Sequence, residues 1–271
     1  MNGKKNQIIK ISLCFFLQFL VSNTTQSQSK NYGEINYTYN YDISGLYSEN
    51  YIMKFNDSIS LSLETDIESS NDKNISISDS EGVSNTVIAG RKNLEPKFYF
   101  KKGDTLYFKD NYYNKTMVVK EGKQNWNWKL INEPRKIGQF ICYKATTRFR
   151  GRNYTAWYTD TIPLPYGPWK LNGLPGLILE AYDDDGVFHL FATKVSIGNS
   201  DKKDIDFNYE DIEKPLSISQ YRAKKVELIK EQFARLSSKL PKGSKPIEYN
   251  ENCDDCNYTL EYFNDNQTSK D

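Results

Sequence analysis

The sequence predicts a mainly β protein, a curved antiparallel sheet or half-barrel with one helix packed on it near the C-terminus. Three observations predict it. Gly33 to Tyr41 alternates strictly, with Ile35, Tyr37, Tyr39 and Tyr41 on one face and Glu34, Asn36, Thr38 and Asn40 on the other, the pattern of a half-buried strand. Short extended runs separated by turn residues then recur as far as Val195, and successive strands joined by short turns imply an antiparallel sheet. Helical periodicity with a start signal is clear in one stretch, which begins at Ser217.

Taken in order, the chain opens on a secretory signal. Lys4, Lys5 and Lys10 form a basic segment, and Ile11 to Val21 is apolar apart from Ser12 and Gln18, too short to span a bilayer. Thr25-Gln26-Ser27 supplies small residues at −3 and −1, so cleavage is expected after Ser27. Cys14 follows Leu13 inside the apolar run, which does not fit lipidation. Removing 27 of 271 residues leaves 244 and takes away three lysines and no acids, so the formal charge moves from +1 to −2. A near-neutral chain has no bulk attraction for nucleic acid. No later run is apolar for long enough to make a transmembrane span. The expected product is one β-rich domain over residues 28–271, located in the periplasm, at the outer membrane or outside the cell.

Tyr51 to Leu63 continues in extended style, and residues 64–91, rich in Ser, Asn and Asp, read as a flexible loop or insertion. Phe98 to Phe100 and Leu106 to Phe108 form a hairpin around Lys102-Gly103-Asp104; Met117 to Val119 and Trp126 to Leu130 are two more strand candidates. Phe140 to Phe149 and Tyr154 to Tyr158 flank the turn Arg150-Gly151-Arg152, and Leu177 to Tyr182 pairs with Val187 to Val195 across Asp183 to Gly186. A helix over 217–240 follows. Ser217 caps it, Gln220 completes a capping box, Leu216 and Tyr221 form a staple, and Val226, Ile229, Phe233 and Leu236 line the face expected to pack on the sheet. Residues 257–271 read as a loose tail.

The distinctive segment is Ala156-Trp157-Tyr158-Thr159-Asp160-Thr161-Ile162-Pro163, followed by Tyr166-Gly167-Pro168-Trp169 and Gly173-Leu174-Pro175-Gly176-Leu177-Ile178. Its prolines lack backbone donors, so it connects strands and does not lie within the sheet. Pro175 with Gly176 free for positive φ suggests a type II turn. One reading makes this a structural turn with Trp157 and Trp169 as core aromatics. The other makes Trp157, Tyr166, Trp169, Gly173, Leu174, Pro175 and Gly176 the rim of a binding groove, because ordered loops on a rigid sheet are where sites sit.

The segment resembles the GLPGLI family of exported bacterial proteins, whose hexapeptide stands intact at Gly173 to Ile178; Gly138, Cys142, Lys144 and Ala145 upstream, and Pro246-Ile247-Glu248 downstream, extend the resemblance. The resemblance implies a signal peptide and a β-rich envelope domain. It implies no reaction, so it carries no catalytic residue over.

Catalytic and metal spacings are weak. His189 is the single histidine, in an apolar strand without a nucleophile elbow nearby. Cys253-Asp254-Asp255-Cys256 has redox-motif spacing, but the two aspartates would raise the thiol pKa, so a structural Cys253-Cys256 disulfide is expected, with Cys142 buried as a small apolar residue. Asp183 to Asp185 lacks the spaced ligands of a calcium loop. No metal site, cofactor site or catalytic set is therefore assigned. The expected function is binding or docking, with an outer-membrane protein or an apolar or peptide-like ligand as partner. The alternatives are a hydrolase using carboxylates or His189, and a metal- or thiol-dependent role at Cys253 and Cys256.

Overall fold

The computed structural model describes residues 31–42, 46–65, 77–79, 82–84, 95–112, 115–199 and 205–240, together with 243, 245 and 261. The strands in chain order are β1 (Asn31–Asp42), β2 (Leu46–Phe55), β3 (Ile59–Glu64), β4 (Ile77–Asp79), β5 (Gly82–Ser84), β6 (Phe98–Lys102), β7 (Thr105–Tyr112), β8 (Lys115–Glu121), β9 (Lys129–Ile137), β10 (Phe140–Phe149), β11 (Arg152–Thr159), β12 (Leu177–Asp183), β13 (Phe188–Asn199) and β14 (Leu216–Ser217); helix α1 is Ile218–Ser237. Twelve of these strands make one sheet in the order β14-β8-β7-β6-β3-β2-β1-β13-β12-β11-β10-β9, and β4 and β5 make a separate hairpin. Every pairing in the large sheet is antiparallel except the short parallel contact of β14 with β8. The mainly β, antiparallel expectation holds.

Connectivity forces the sheet to curl. β8 and β9 stand ten places apart in the sheet order, about 48 Å if the sheet were flat at ~4.8 Å per strand. Only Gly122 to Trp128 joins them, and so few residues reach under about 30 Å fully extended. The sheet therefore bends into a trough that does not close into a barrel.

The trough's inner face carries the tyrosines of β1. Tyr37, Tyr39 and Tyr41 are buried, as are Tyr51, Met53 and Phe55 of β2 and Phe188 and Leu190 of β13. The trough is filled by residues 160–176, the connection between β11 and β12, which buries Ile162, Leu164, Tyr166, Trp169, Leu171 and Leu174 in the same core. Burial of aliphatic and aromatic side chains at roughly 1.5–3 kcal/mol each makes this inserted loop a main source of stability.

The segment Trp126 to Leu130 was expected to be a strand, but β9 begins only at Lys129. Asn127 takes a left-handed φ of 44°, which breaks the extended alternation. The two indoles stack instead, with centroids 5.4 Å apart, and their N–H groups donate to the Lys170 and Asn172 carbonyls of the filling loop.

Downstream, Ile205 and Phe207 cover the outer face at Leu61, Phe98 and Phe100, with Phe207 stacked on Phe100 at 4.1 Å. The chain then turns around the rim: β14 pairs beside Val119 and Lys120, and α1 lies on the inner face against Phe108 and Met117. The capping box of Ser217 and Gln220 is present, and Leu216 and Tyr221 join the same cluster, as the staple requires. The predicted stripe is corrected. Tyr221 and Leu228 are the helix residues that become buried, whereas Leu236 is half exposed. The hydrogen bond from the Tyr221 hydroxyl to Asp110, 2.6 Å, fixes the helix rotation, so a polar anchor decides the phase over the apolar pattern. The helix ends at Ser237, capped by Ser238, short of the expected 240.

The expected signal peptide 1–27, Cys253, Cys256 and the tail 257–271, apart from Glu261, lie outside the described residues, as does most of 64–91, within which β4 and β5 stand. Among the described residues no helix is long and apolar enough to cross a membrane.

Candidate functional site

The motif loop faces inward. Trp157, Tyr166 and Trp169 are all buried, as are Leu174 and Gly176, while Gly173 and Pro175 reach the surface. The backbone N–H of Trp169 donates to the Tyr39 hydroxyl at 2.8 Å, and the Tyr37 hydroxyl donates to the Ile178 carbonyl at 2.6 Å. Burial pushes the Tyr166 phenol up to about 12 and raises Tyr37 and Tyr39 further, so these phenols stay neutral, Tyr37 as a donor and Tyr39 as the acceptor of the Trp169 N–H.

The two motif glycines have different roles from those predicted. Gly173, not Gly176, adopts positive φ (+87°). Gly176 is needed for close approach: a Cβ there would lie 2.7 Å from the Thr159 carbonyl carbon and 3.0 Å from the Asp160 nitrogen. This contact brings Leu177 into register opposite Thr159 and so starts β12 against β11.

On the outer face, strand register gathers a charged and aromatic cluster. Phe191, Glu180, Trp157 and Lys144 stand opposite one another across β13, β12, β11 and β10. The Arg135 guanidinium lies 4.0 Å over the Trp157 ring and pairs with one Glu180 oxygen; the other Glu180 oxygen is 3.1 Å from His189 Nε2. Sequence spacing alone did not suggest this acid–histidine pair, although the β12–β13 register makes the two side chains diagonal neighbours. Chemically, an imidazole beside a carboxylate can hold or move a proton. Here Arg135 shares that carboxylate, and Tyr182 meets the imidazole edge to face.

A buried ionic cluster ties the two ends of the trough together. Arg150, from the β10–β11 turn, pairs with Glu121 of β8 and with Glu261. Lys170 of the filling loop lies 2.6 Å from Glu261 and 3.3 Å from Glu121. Burial opposes the Glu261 charge, but Lys170 and Arg150 outweigh it and hold its carboxyl below the ordinary range. Arg152 similarly bonds Asp183 at 2.8 Å with both side chains buried, and Asp183 also accepts the N–H of Phe188. Two of the three aspartates of this turn therefore serve the arginine, with Asp185 as its second partner.

At the rim beyond β8 lies an open groove of about 450 Å³, lined by Lys115, Thr116 and Met117 of β8, Leu216 of β14, and Gln220, Ala223, Lys224 and Glu227 of α1. None of these residues stood out as a site in the sequence. The available signal was indirect: Pro215 cannot donate a backbone hydrogen bond, so a strand ending there leaves its neighbour's edge open.

Comparison with known proteins places a family model described as a protein of unknown function (Porph_ging) on residues 147–180, from the end of β10 through β11 and the motif loop into β12. That span agrees with the family resemblance read from the same residues. No curated protein matches the chain. Two solved structures of PNGF-II, in C2 and P21 space groups, overlay 73% of this chain at 17% identity, with TM-scores of 0.46 and 0.48. The chain spans about a third of the PNGF-II chain, 33% and 34% in the two structures.

Proposed function

We propose that this protein is an exported, non-enzymatic binding module of the cell envelope that docks a partner in the groove between the β8 edge and α1. The observation that carries the reading is the groove itself. Its volume is within the ordinary range for a binding site, ~300–1,000 Å³, and it combines an apolar floor, Met117 and Leu216, with the charged rim Lys115, Lys224 and Glu227. The Lys4 to Ser27 pattern supports export, and N-terminal sequencing of the protein from its host tests it: a mature N-terminus near Gln28 is expected, and an intact Met1 in the cytosol refutes export. Docking is tested by filling the groove. Ala223→Trp is expected to keep the circular dichroism and thermal midpoint of the wild type and to lose capture of its envelope partner. Undiminished capture by a folded variant refutes the reading.

A second reading, a hydrolase using His189, has the Glu180–His189 pair in its favour. The groove is preferred because Arg135 already shares the Glu180 carboxylate and stacks over Trp157, which gives the outer-face cluster a packing role. Loss of a cellular activity in a fully stable His189→Ala variant would reverse that preference.

A further inference from the structure

The geometry points to strand addition: the partner enters the groove as an extended, acidic polypeptide segment that pairs with the free edge of β8. This rests on the docking reading above and specifies its ligand. β8 runs over seven residues, Lys115–Glu121, and β7 covers one edge along its whole length. On the other edge β14 reaches only Val119 and Lys120. The outer edge of Lys115 to Val118 has no strand partner among the described residues. An unpaired edge presents alternate N–H and C=O groups as a template for another chain.

The open edge has a local cause. In parallel register the residues before Leu216 would continue along β8 past Val118. Pro215 lacks the N–H that such pairing needs, and the 3-10 turn at Tyr209–Ile212 lies beside β8 without strand pairing, with Ile212 and Val118 both packed against the outer-face cluster of Phe207. The far wall of the slot is helical: Gln220, Ala223, Lys224 and Glu227 recur at i, i+3, i+4 and i+7 and so form one face of α1. Ala223 is the small residue of that wall, and the Tyr221–Asp110 hydrogen bond holds the helix in place across the strand. The slot is bounded by a strand edge on one side and a helix on the other, with Met117 and Leu216 between them.

Charge selects the sequence of the occupant. Lys115 and Lys224 face the slot against one carboxylate, Glu227, which lies 2.7 Å from Lys224. A strand with side chains alternating between two faces can set an apolar group on Met117 and Leu216 and direct an acidic neighbour to the lysines. The occupant is a partner segment of alternating apolar and acidic residues.

The test uses the full-length protein and two pools of acetylated, amidated octapeptides, one alternating valine or leucine with aspartate or glutamate, the other with lysine at the acidic positions. Amide hydrogen exchange is read residue by residue. The acidic pool is expected to slow exchange by about tenfold or more at saturation at the amides of Lys115 to Val118 that point away from β7, the lysine pool to have no effect there, and Ala223→Trp to abolish the protection. Lys224→Glu, on the helix surface, is expected to reverse the preference between the pools. Strand addition is overturned if the acidic pool gives no protection at that edge, if it binds and protects only other segments, or if both pools protect equally. Should Ala223→Trp lose the envelope partner while the peptides leave the edge unprotected, docking stands and strand addition falls. Should capture survive Ala223→Trp, the docking reading itself falls.

Discussion

Replacing Gly176 by Ala should be among the most destabilising single-methyl additions this protein can receive. The added Cβ would lie 2.7 Å from the Thr159 carbonyl carbon and inside the contact distance of its oxygen, with the Asp160 nitrogen at 3.0 Å. Carbon atoms prefer about 3.5–4.0 Å, so the backbones must separate by close to 1 Å. All three atoms belong to the main chain, and Thr159 is fixed opposite Leu177 at the start of β12, so no side-chain rotation relieves the clash. Overpacking typically costs about 1–3 kcal/mol. A clash against paired backbone belongs at or above the top of that range, about 3 kcal/mol, which for a protein of this size lowers the thermal midpoint by roughly 6–12 °C.

The control is Gly173→Ala in the same hexapeptide. Nothing lies within 4 Å of its added Cβ, but its φ is +87°, so the cost is conformational, about 1–2 kcal/mol. Gly173→Asn should recover part of that loss, because Asn tolerates left-handed backbone; Gly176→Asn should recover nothing. Urea unfolding with linear extrapolation, alongside thermal scans, measures all four variants. A Gly176→Ala protein within 0.5 kcal/mol of wild type, or one less affected than Gly173→Ala, refutes the close-approach account.

Three further outcomes are expected. Glu261→Gln removes one of the two carboxylates that Arg150 and Lys170 share, leaving them with Glu121, and should cost about 3–5 kcal/mol. Because the folded Glu261 pKa is held down, its contribution is complete above the unfolded value near ~4.3 and disappears as the pH falls through the folded value; denaturant midpoints from pH 7 to 3 should therefore fall more steeply for wild type than for the variant, and parallel curves would contradict the assignment. Arg152→Ala strands the Asp183 carboxylate and should also cost about 3–5 kcal/mol, whereas the Arg152→Met, Asp183→Leu double variant should regain most of it in chemical denaturation; a double variant no better than the single would refute the ion-pair account. Cys142 is fully buried and burial pushes its thiol up to about 11, so iodoacetamide at pH 8 should alkylate it only after unfolding, and rapid labelling of the native protein, mapped by mass spectrometry, would show the site to be open.

Strand content was legible in the sequence because alternation is a local signal. The β1 pattern, the β6–β7 and β10–β11 hairpins and the β12–β13 pair all follow from period two and turn residues. The helix start was legible for the same reason: a capping box is written within four residues. What failed depended on tertiary contact. Trp126 and Trp128 look like strand residues until the filling loop accepts their N–H groups. The buried side of α1 is set by Asp110, more than a hundred residues upstream. Gly176 was assigned the turn geometry that Gly173 adopts, because a glycine needed for space and one needed for φ are identical in sequence. The groove was illegible for a further reason, since it depends on where β14 stops and not on any residue's own character.

The curled sheet also explains why so many charges are buried at one place. A trough that closed into a barrel would satisfy its edges with backbone hydrogen bonds between β8 and β9. Here the connection Gly122 to Trp128 crosses that gap, and its carbonyls and indoles cannot reproduce a strand ladder. Arg150 and Lys170 meet Glu121 and Glu261 where the ladder is missing, so two cations and two anions link β8, the β10–β11 turn, the filling loop and the far C-terminal region. An apolar seam of the same volume could be more stable, but it would not fix which groups meet. Charge pairing at the Glu121 end of β8 holds together pieces drawn from distant parts of the chain.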